Sequence, residues 1–450
     1  MTQIAKGFRG DMANGFDPSR IALLDEATAG HVERRRRLLG PAYRLFYNTP
    51  VAVSRGKGAL LYDRDGNEYL DAYNNVASLG HCHPSVVDAI RRQSEILCTH
   101  TRYMQDGVLD YAEQLLSTFA GSIGRSGCAM FTCTGSEAND LALRIAQHHT
   151  GKTGVIVTSE AYHGNSGLGA GISPSLGKRS RLAPYTRTVQ RPDSYREDKA
   201  QIGQRTAREV AAQIEDIERH GGGIAAFIAD SVFSSDGLYG DPTDILAPVA
   251  EVVRRAGGLF IADEVQSGFG RTGSMWGHER HGVDPDIVTL GKPMGNGYPV
   301  AGVLLRQEVV KSFGESMRYF NTFGGNTVAI AAAQATLNVI RDENLLDRCQ
   351  RSSATMLDGL RDIADRYEKI GDVRGVGLYF AVEMVKDRTS KEPDMDAALA
   401  AVNGLRERRI LISATGPDAS ILKIRPPLVF EDAHVGRFLD GLDKTMRNLH

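Results

Sequence analysis

The chain has 450 residues, 42% of them hydrophobic, and its 53 Lys and Arg residues nearly balance 55 Asp and Glu residues. This composition allows two or three domains with a sizeable core, and the balanced charge argues against an extended surface for nucleic acid or a membrane. The cysteines form no C-x-x-C pair, and no apolar run approaches the ~20 residues of a membrane span. The first residues also lack the apolar core of a signal peptide, so we expect a cytoplasmic enzyme.

The N-terminal part of the sequence predicts a helix and a loop, followed by a hairpin. The run "GALLYDRDGNEYLDAYN", residues 58–74, contains two alternating apolar stretches around Asp65 and Gly66. Such a pattern is a strong hairpin signal. We expect residues 1–75 to form part of a small domain.

From about Gly127 the pattern changes to short apolar runs between amphipathic helices. The runs "AMFTC", "GVIVTS", "GIAAFIAD", "GLFIAD" and "DIVTL" are typical of parallel strands that are buried on both faces. Residues 76–325 are therefore predicted to form a large, doubly wound α/β domain with a mostly parallel sheet. Residues 326–450 contain long helices, strand candidates in "GDVRGVGLYFAVEMV" and "SILKIRPPLVF", and a terminal helix. We expect them to complete a smaller α+β domain together with the N-terminal part.

Polar residues follow several of the predicted strands, at the sheet edge where ligands of open α/β sheets bind. The turn after "AMFTC" places Gly135 and Ser136 at the start of a helix, which suits a phosphate, although the same letters fit an ordinary helix cap. Asp263 ends an apolar strand, where a buried carboxylate is costly unless it pairs with a cation or accepts several hydrogen bonds. An ordinary turn or helix cap also supplies such hydrogen bonds, so both a functional and a structural role are open for this residue alone. Lys292 follows the next strand among glycines and prolines that fix the backbone closely.

Together these residues require a ligand with a phosphate, a cationic ring nitrogen and an electrophilic carbon. Pyridoxal phosphate (PLP) has all three, because its aldehyde forms a Schiff base with a lysine and a carboxylate keeps its ring nitrogen protonated. Tyr162, after "GVIVTS", is placed to stack on the ring. The histidines of "GHCHP" have no matching ligand cluster elsewhere, so no metal site is predicted.

The segments "LFIADEVQSGFGRTG" and "DIVTLGKPMGNGYP" resemble the signature of class III (omega) aminotransferases of PLP fold type I, and the resemblance covers almost the whole chain. The spacing of 29 residues from Asp263 to Lys292 matches that pattern. By this resemblance, Lys292 holds the cofactor and moves protons, while Asp263 pairs with its ring nitrogen. Thr322, in "NTFGGN", reaches the phosphate from a partner subunit, which implies a homodimer with shared active sites and leaves open whether dimers pair into tetramers. The other implied cofactor contacts are Gly135 and Ser136 at the phosphate, Tyr162 and Val265 on the two ring faces, and Gln266 near the ring hydroxyl.

The substrate region departs from the pattern of class III aminotransferases that use glutamate-like acceptors. Those enzymes carry an arginine three residues before a "PP" pair and a glutamate in a "Q-G-E" segment, whereas this chain has Lys423 and Ser235 there. Arg425 stands two residues after Lys423, and one interpretation is that it binds a carboxylate from this shifted position. Tyr47 is placed at the substrate entrance.

A second resemblance points to a different reaction. The segments "YNNVASLGHCHPSVVDAI", "GSEANDLALRIA", "AYHGN" and "RPDSYR" are similar to those of ethanolamine-phosphate and phosphohydroxylysine phospho-lyases, which also carry a lysine before "PP". Lys423 and Arg425 are suited to hold a phosphate leaving group. The hypothesis is elimination of phosphate from a small phosphorylated amine, giving an aldehyde, ammonia and phosphate. The alternative is an aminotransferase that moves an amino group between a primary amine or amino acid and a keto acid such as pyruvate.

Overall fold

The computed structural model describes residues 12–177 and 179–449. The first 11 residues, which contain most of the stretch used to predict the absence of a signal peptide, lie outside this part. No helix in the described ranges is long and apolar enough to cross a membrane. The helices are α1 (Glu26–Leu39), α2 (Pro84–Ile96), α3 (Asp106–Ser117), α4 (Gly121–Ser126), α5 (Gly135–Thr150), α6 (Gly167–Gly171), α7 (Lys199–Arg219), α8 (Leu246–Arg255), α9 (Gln307–Ser316), α10 (Thr327–Asp342), α11 (Leu345–Arg366), α12 (Met395–Glu407) and α13 (Asp432–Met446), with 3-10 turns at Pro18–Leu23, Pro174–Leu176 and Gly277–His281.

The strands form three sheets in the described part of the chain. They are β1 (Val53–Lys57), β2 (Leu60–Asp63), β3 (Glu68–Asp71), β4 (Cys128–Thr132), β5 (Gly154–Thr158), β6 (Thr186–Val189), β7 (Ile224–Asp230), β8 (Leu259–Asp263), β9 (Ile287–Leu290), β10 (Ala301–Leu305), β11 (Ile370–Val376), β12 (Tyr379–Met384), β13 (Ile410–Leu411), β14 (Ser413–Thr415) and β15 (Ile421–Ile424).

The central sheet has the strand order β4-β10-β9-β8-β7-β5-β6. Five consecutive strands of this sheet run parallel to one another: β9, β8, β7, β5 and β6. Strand β10 runs antiparallel to both of its neighbours, β4 and β9. Strand β4 therefore points the same way as the parallel strands, and its carboxyl end lies at the same edge. Every residue of β5, β8 and β9 is buried, as expected for strands covered by helices on both faces. The predicted α/β fold class is confirmed.

The N- and C-terminal parts of the chain share a second sheet. Its order is β1-β2-β3-β13, and β13 runs parallel to β3, with Ile410 opposite Leu70. The hairpin predicted around Gly66 is formed by β2 and β3, and Gly66 has a φ of +82° in the turn. The third sheet, β11-β12-β15-β14, is antiparallel. The segment predicted as one strand candidate, "GDVRGVGLYFAVEMV", is a hairpin of β11 and β12.

Candidate active site

The N-terminus of α5 forms a cradle at the carboxyl end of β4. Thr134 caps this helix: its side chain accepts the N–H of Glu137 (3.2 Å), and the Glu137 carboxylate accepts the N–H of Cys133 (2.7 Å). A Cβ on Gly135 would lie 2.8 Å from a methyl group of Val265, so only glycine allows this close approach. The unpaired N–H groups and the dipole of the first turn of the helix favour an anion at this point. Ser136 lies beside them, with its Oγ 3.2 Å from Oδ1 of Asn165.

Asp263 ends β8 with its carboxylate held by three hydrogen-bonding groups. His163 Nδ1 lies 2.7 Å from Oδ2, Asn139 Nδ2 donates to the same oxygen at 2.9 Å, and the Val265 N–H donates to Oδ1 at 3.0 Å. The side chains of Asp263 and His163 are buried, and no Lys or Arg of the described chain forms an ion pair with Asp263. The negative charge is therefore oriented and remains available to a cationic ring nitrogen.

A second buried carboxylate, Glu264, fixes the turn that follows Asp263. It accepts hydrogen bonds from Ser231 Oγ (2.8 Å), Ser267 Oγ (2.8 Å) and the N–H of Gly277 (2.9 Å). Burial opposes its charge, but hydrogen bonds from His278 and these neighbours lower the pKa of Glu264 to about 2. This carboxylate connects the loops that follow β7 and β8.

Lys292 follows β9 and reaches the same cavity. Its Nζ lies 6.0 Å from the centroid of the Tyr162 ring. Loss of solvent, followed by the positive charge of Arg425, lowers the pKa of Lys292 to about 8, although Asp263 and Asp230 act in the opposite direction. The amine is thus more nucleophilic near neutral pH than an ordinary lysine. The cavity is lined by Gly135, Ser136, Asn139, Tyr162, His163, Gly164, Asp230, Asp263, Val265, Gln266 and Lys292.

Gln266 connects the cavity to the basic residues of the C-terminal part. Its Oε1 accepts from Arg425 Nη1 (2.6 Å) and from the Tyr379 hydroxyl (3.3 Å), and its Nε2 donates to Ser234 Oγ (2.5 Å). The Arg425 guanidinium also lies 4.3 Å from the ring centroid of Tyr73. Arg425 is therefore oriented by neutral partners.

Lys423 lies next to Arg425 at the end of β15 and is 8% exposed. Burial, followed by the charge of Arg425, lowers the pKa of Lys423, whereas Asp230 and Asp236 raise it. Within residues 12–177 and 179–449, no carboxylate lies within 4.0 Å of a charged nitrogen of Lys423 or Arg425. Two neighbouring buried basic side chains without an ion pair favour an anion, because a bound anion stabilises their protonated forms.

Two predicted residues lie away from this cavity in the single chain. Tyr47 is buried, and its hydroxyl donates to the carbonyl of Ile412 (2.9 Å), so its role at a substrate entrance stays a prediction. Thr322 is exposed in the loop between α9 and α10, beside the exposed ring of Phe323. A role in a neighbouring subunit's site requires this exposure. Ser235 directly follows Ser234 in the loop after β7. It occupies the position at which the aminotransferase pattern has a glutamate.

Nothing in the sequence indicated Asn139, and for His163 it left open a contact with the surroundings of the cofactor or a packing or capping role. The available signal was position: His163 directly follows Tyr162 at the carboxyl end of β5, and Asn139 lies one helical turn after Gly135 on α5. Which side of α5 faces Asp263 depends on how the helix packs, and this cannot be read from one sequence.

The residues of the cavity fit PLP. An anion cradle, an oriented carboxylate without a Lys or Arg partner in the described chain and an amine with a pKa of about 8 match the phosphate, the ring nitrogen and the aldehyde. Tyr162 and Val265 line the space between them.

Comparisons with known proteins give a consistent result. The family model described as aminotransferase class-III matches residues 44–446. The chain is 39% identical over 436 residues to ethanolamine-phosphate phospho-lyase homolog 1 of Caenorhabditis elegans, covering 92% of each chain. It is 38% identical to an alanine–glyoxylate aminotransferase 2-like protein of Drosophila melanogaster, covering 91% of this chain and 85% of that protein.

Solved structures extend the similarity. A phospholyase from Arthrobacter in complex with phosphoethanolamine has a TM-score of 0.89 and 40% identity, covering 93% of this chain and 99% of that chain. A Bacillus anthracis aminotransferase has a TM-score of 0.86 and 26% identity, covering 94% of this chain and 99% of that one.

Proposed function

The chain belongs to the class III aminotransferase family of PLP-dependent enzymes, and from this premise we propose that it eliminates phosphate from a small phosphorylated amine. The substrate class is that of ethanolamine phosphate, the ligand of the similar Arthrobacter phospholyase. A C–H bond next to nitrogen and the C–O bond of the phosphate ester break, and a C=C bond forms. Water then releases ammonia, so the products are an aldehyde, ammonia and inorganic phosphate.

The observation that carries this proposal is the pair of buried basic side chains, Lys423 and Arg425, which form no ion pair in the described part of the chain. Both side chains are buried, and the positive charge of Arg425 lowers the pKa of Lys423. A phosphate dianion neutralises both, whereas the single charge of a carboxylate does not. Ser235, where the aminotransferase pattern has a glutamate, supplies no carboxylate that would compete with the phosphate.

The cofactor, when bound, supplies the electrophilic carbon and accepts the electrons of the broken C–H bond. Different residues of the chain bind and orient the reacting groups and move the proton. Lys292, whose amine lies in the cavity, takes the proton from the substrate carbon next to nitrogen. Asp263, oriented by His163 and Asn139, maintains negative charge at the ring nitrogen. Lys423 and Arg425 bind the phosphate and stabilise the charge that develops on it as the C–O bond breaks.

The test is phosphate release without an amino acceptor. We expect the enzyme to release inorganic phosphate and acetaldehyde from ethanolamine phosphate over many turnovers in the absence of any keto acid. Lys292→Ala is the control for uncatalysed release, and ethanolamine is the control for the phosphate requirement. Absence of phosphate release, together with amino transfer from amines to pyruvate, would establish the aminotransferase alternative.

A homodimer with shared sites is also proposed. Thr322 lies in an exposed loop near large apolar side chains that a monomer would leave in water: Tyr103 is 67%, Met104 102% and Phe323 69% exposed. Exposed apolar clusters of this kind mark contact surfaces. A cytoplasmic location is proposed as well, supported by five free cysteines.

A further inference from the structure

The loop that follows β7, residues 231–240 and here called the β7 loop, adopts an unusual backbone beside the active site. Phe233 and Leu238 have φ values of +50° and +63°, and Gly237 has a φ of +137°. Non-glycine residues in the left-handed region are strained and persist only where their surroundings hold them. The same loop carries Ser234, the acceptor for Gln266 Nε2. One of the hydrogen bonds that hold Gln266 therefore depends on this loop, beside those from Arg425 and Tyr379.

Arg374, from β11, holds two backbone carbonyls of the β7 loop. Its Nε donates to the Leu238 carbonyl (2.8 Å) and its Nη2 to the Gly237 carbonyl (2.9 Å). The guanidinium also lies 4.5 Å from the ring centroid of Tyr239. Both carbonyls belong to the part of the loop with positive φ values, so a residue of the C-terminal part binds the loop where its backbone is unusual.

Two carboxylates orient the Arg374 guanidinium from its other side. Its Nη1 lies 2.6 Å from Asp372 and 2.8 Å from Glu383. Glu383 is 1% exposed and also bonds Arg196 at 2.5 Å, and Arg196 contacts Asp193 at 3.2 Å. The network thus connects the β7 loop, the third sheet and the segment after β6. Such a multiply bonded, planar donor set is specific to arginine, because a lysine presents one point charge.

We propose that Arg374 is a positioning residue: it fixes the β7 loop so that Ser234 holds Gln266 in place at the cofactor. The inference rests on the proposed function in one respect, that Gln266 contacts the bound cofactor. Arg374 itself touches neither cofactor nor substrate in this scheme. Its effect passes through the loop carbonyls and Ser234.

The test compares Arg374→Lys with Arg388→Lys. Arg388 also donates to backbone carbonyls, at Ile370 (2.9 Å) and Tyr367 (3.2 Å) as well as Ala364, but none of these belongs to the β7 loop. Both substitutions keep the charge and lose bidentate bonds. We expect the PLP dissociation constant of Arg374→Lys to rise about tenfold, the factor for one lost charge-assisted hydrogen bond, with a shifted visible absorption of the bound cofactor. Arg388→Lys should change neither.

A double-mutant cycle tests the route of the effect. If Arg374 acts through Ser234, Arg374→Lys and Ser234→Ala together should weaken PLP binding no more than the larger single change. Additive losses overturn this route, and a loss in Arg374→Lys no greater than in Arg388→Lys overturns the proposal. Asp372→Asn, which removes one carboxylate from Arg374, should give a smaller change in the same direction and serves if Arg374→Lys does not fold.

PLP affinity and absorption are measured without turnover, so they are independent of the reaction catalysed. Failure of the wild-type enzyme to release phosphate contradicts the proposed elimination and leaves the Arg374 measurements valid. Normal phosphate release, with identical PLP affinity in Arg374→Lys and Arg388→Lys, contradicts the inference about Arg374 alone.

Discussion

Lys423 is a residue at which folding and catalysis have opposite requirements. Its side chain is 8% exposed, and within the described chain no carboxylate forms an ion pair with it. An ordinary core position would favour an apolar side chain, since a buried cation without a partner destabilises the fold. The presence of lysine at this position is explained by a substrate that brings its own negative charge.

Replacing Lys423 by methionine should therefore separate the two requirements. We expect Lys423→Met to raise the free energy of unfolding by about 1 kcal/mol or more, while phosphate release from ethanolamine phosphate falls about ten- to hundredfold. Thermal unfolding and a phosphate assay measure the two effects. Lys311→Met, at an exposed position on α9, is the control and should change neither. Loss of stability with unchanged phosphate release would contradict the assigned role.

Lys292 offers a test by pH. Solvent exclusion, followed by Arg425, lowers its pKa to about 8 from the ordinary 10.5, so the neutral amine appears at lower pH than in a free lysine. The rate at which cofactor-free enzyme captures PLP should rise with pH and level off above about 8, measured by visible absorbance in stopped flow. Arg425→Met should move the midpoint upward, because it removes a nearby positive charge. A rate that continues to rise to pH 10 or above would contradict the lowered pKa.

The sequence was sufficient to find residues whose position along the chain defines their position in the site. Lys292 and Asp263 follow apolar strands, and the carboxyl ends of parallel strands meet at one edge. Asn139 and Arg374 were not predicted, because each acts through a partner more than 100 residues away, Asp263 at 124 and Leu238 at 136 positions. Such pairings depend on helix rotation and sheet packing, which one sequence does not encode visibly.

At the scale of elements, the sequence predicted the central-sheet strands with continuous apolar runs and missed β6 and β10 of that sheet, as well as β1, β13 and β14 outside it. Strand β6 has the sequence "TRTV" and lies at the edge of the sheet. Its polar residues do not form the continuous apolar run by which the other strands were predicted. Strand β10 reads "AGVLL" and is fully buried, but it follows the glycine-rich segment after Lys292 and resembles a continuation of that loop. Its antiparallel direction is determined by the return of the chain from β9.

The start of α5 connects helix stability to cofactor binding. The Thr134 side chain accepts the N–H of Glu137, which leaves the other N–H groups of the first turn for an anion. Thr134→Ala should cost about 1 kcal/mol of stability, as expected for a lost N-cap, and should also weaken PLP binding. The control is Asp198, whose carboxylate caps α7 by accepting the N–H of Ala200. Asp198→Ala should lower the free energy of unfolding and leave PLP binding unchanged. Equal PLP affinity in both variants would show that the cap does not shape the cradle.

At the scale of the whole molecule, the cavity is lined by the cofactor contacts predicted from one chain except Thr322. That residue lies in an exposed loop with Phe320 and Phe323, which are 41% and 69% exposed. The Arg102 guanidinium carbon lies 3.9 Å from the centroid of the Phe320 ring, so a contact within the same chain holds the loop. The outer face of the loop is exposed and can contact another subunit. An ordered, apolar and exposed loop is suited to enter a neighbouring subunit.

Mixing two inactive variants tests whether subunits share sites. Lys292→Ala removes the amine from a chain's own cavity, and Thr322→Ala removes the proposed phosphate contact to the partner's cavity. In a heterodimer of the two, the chain that retains Lys292 faces the chain that retains Thr322, so one site is intact. Random association should therefore restore roughly a quarter of the wild-type sites, measured as phosphate release after mixing under dissociating conditions. If Thr322 instead served its own chain, every heterodimer site would lack one group, and mixing would restore no activity.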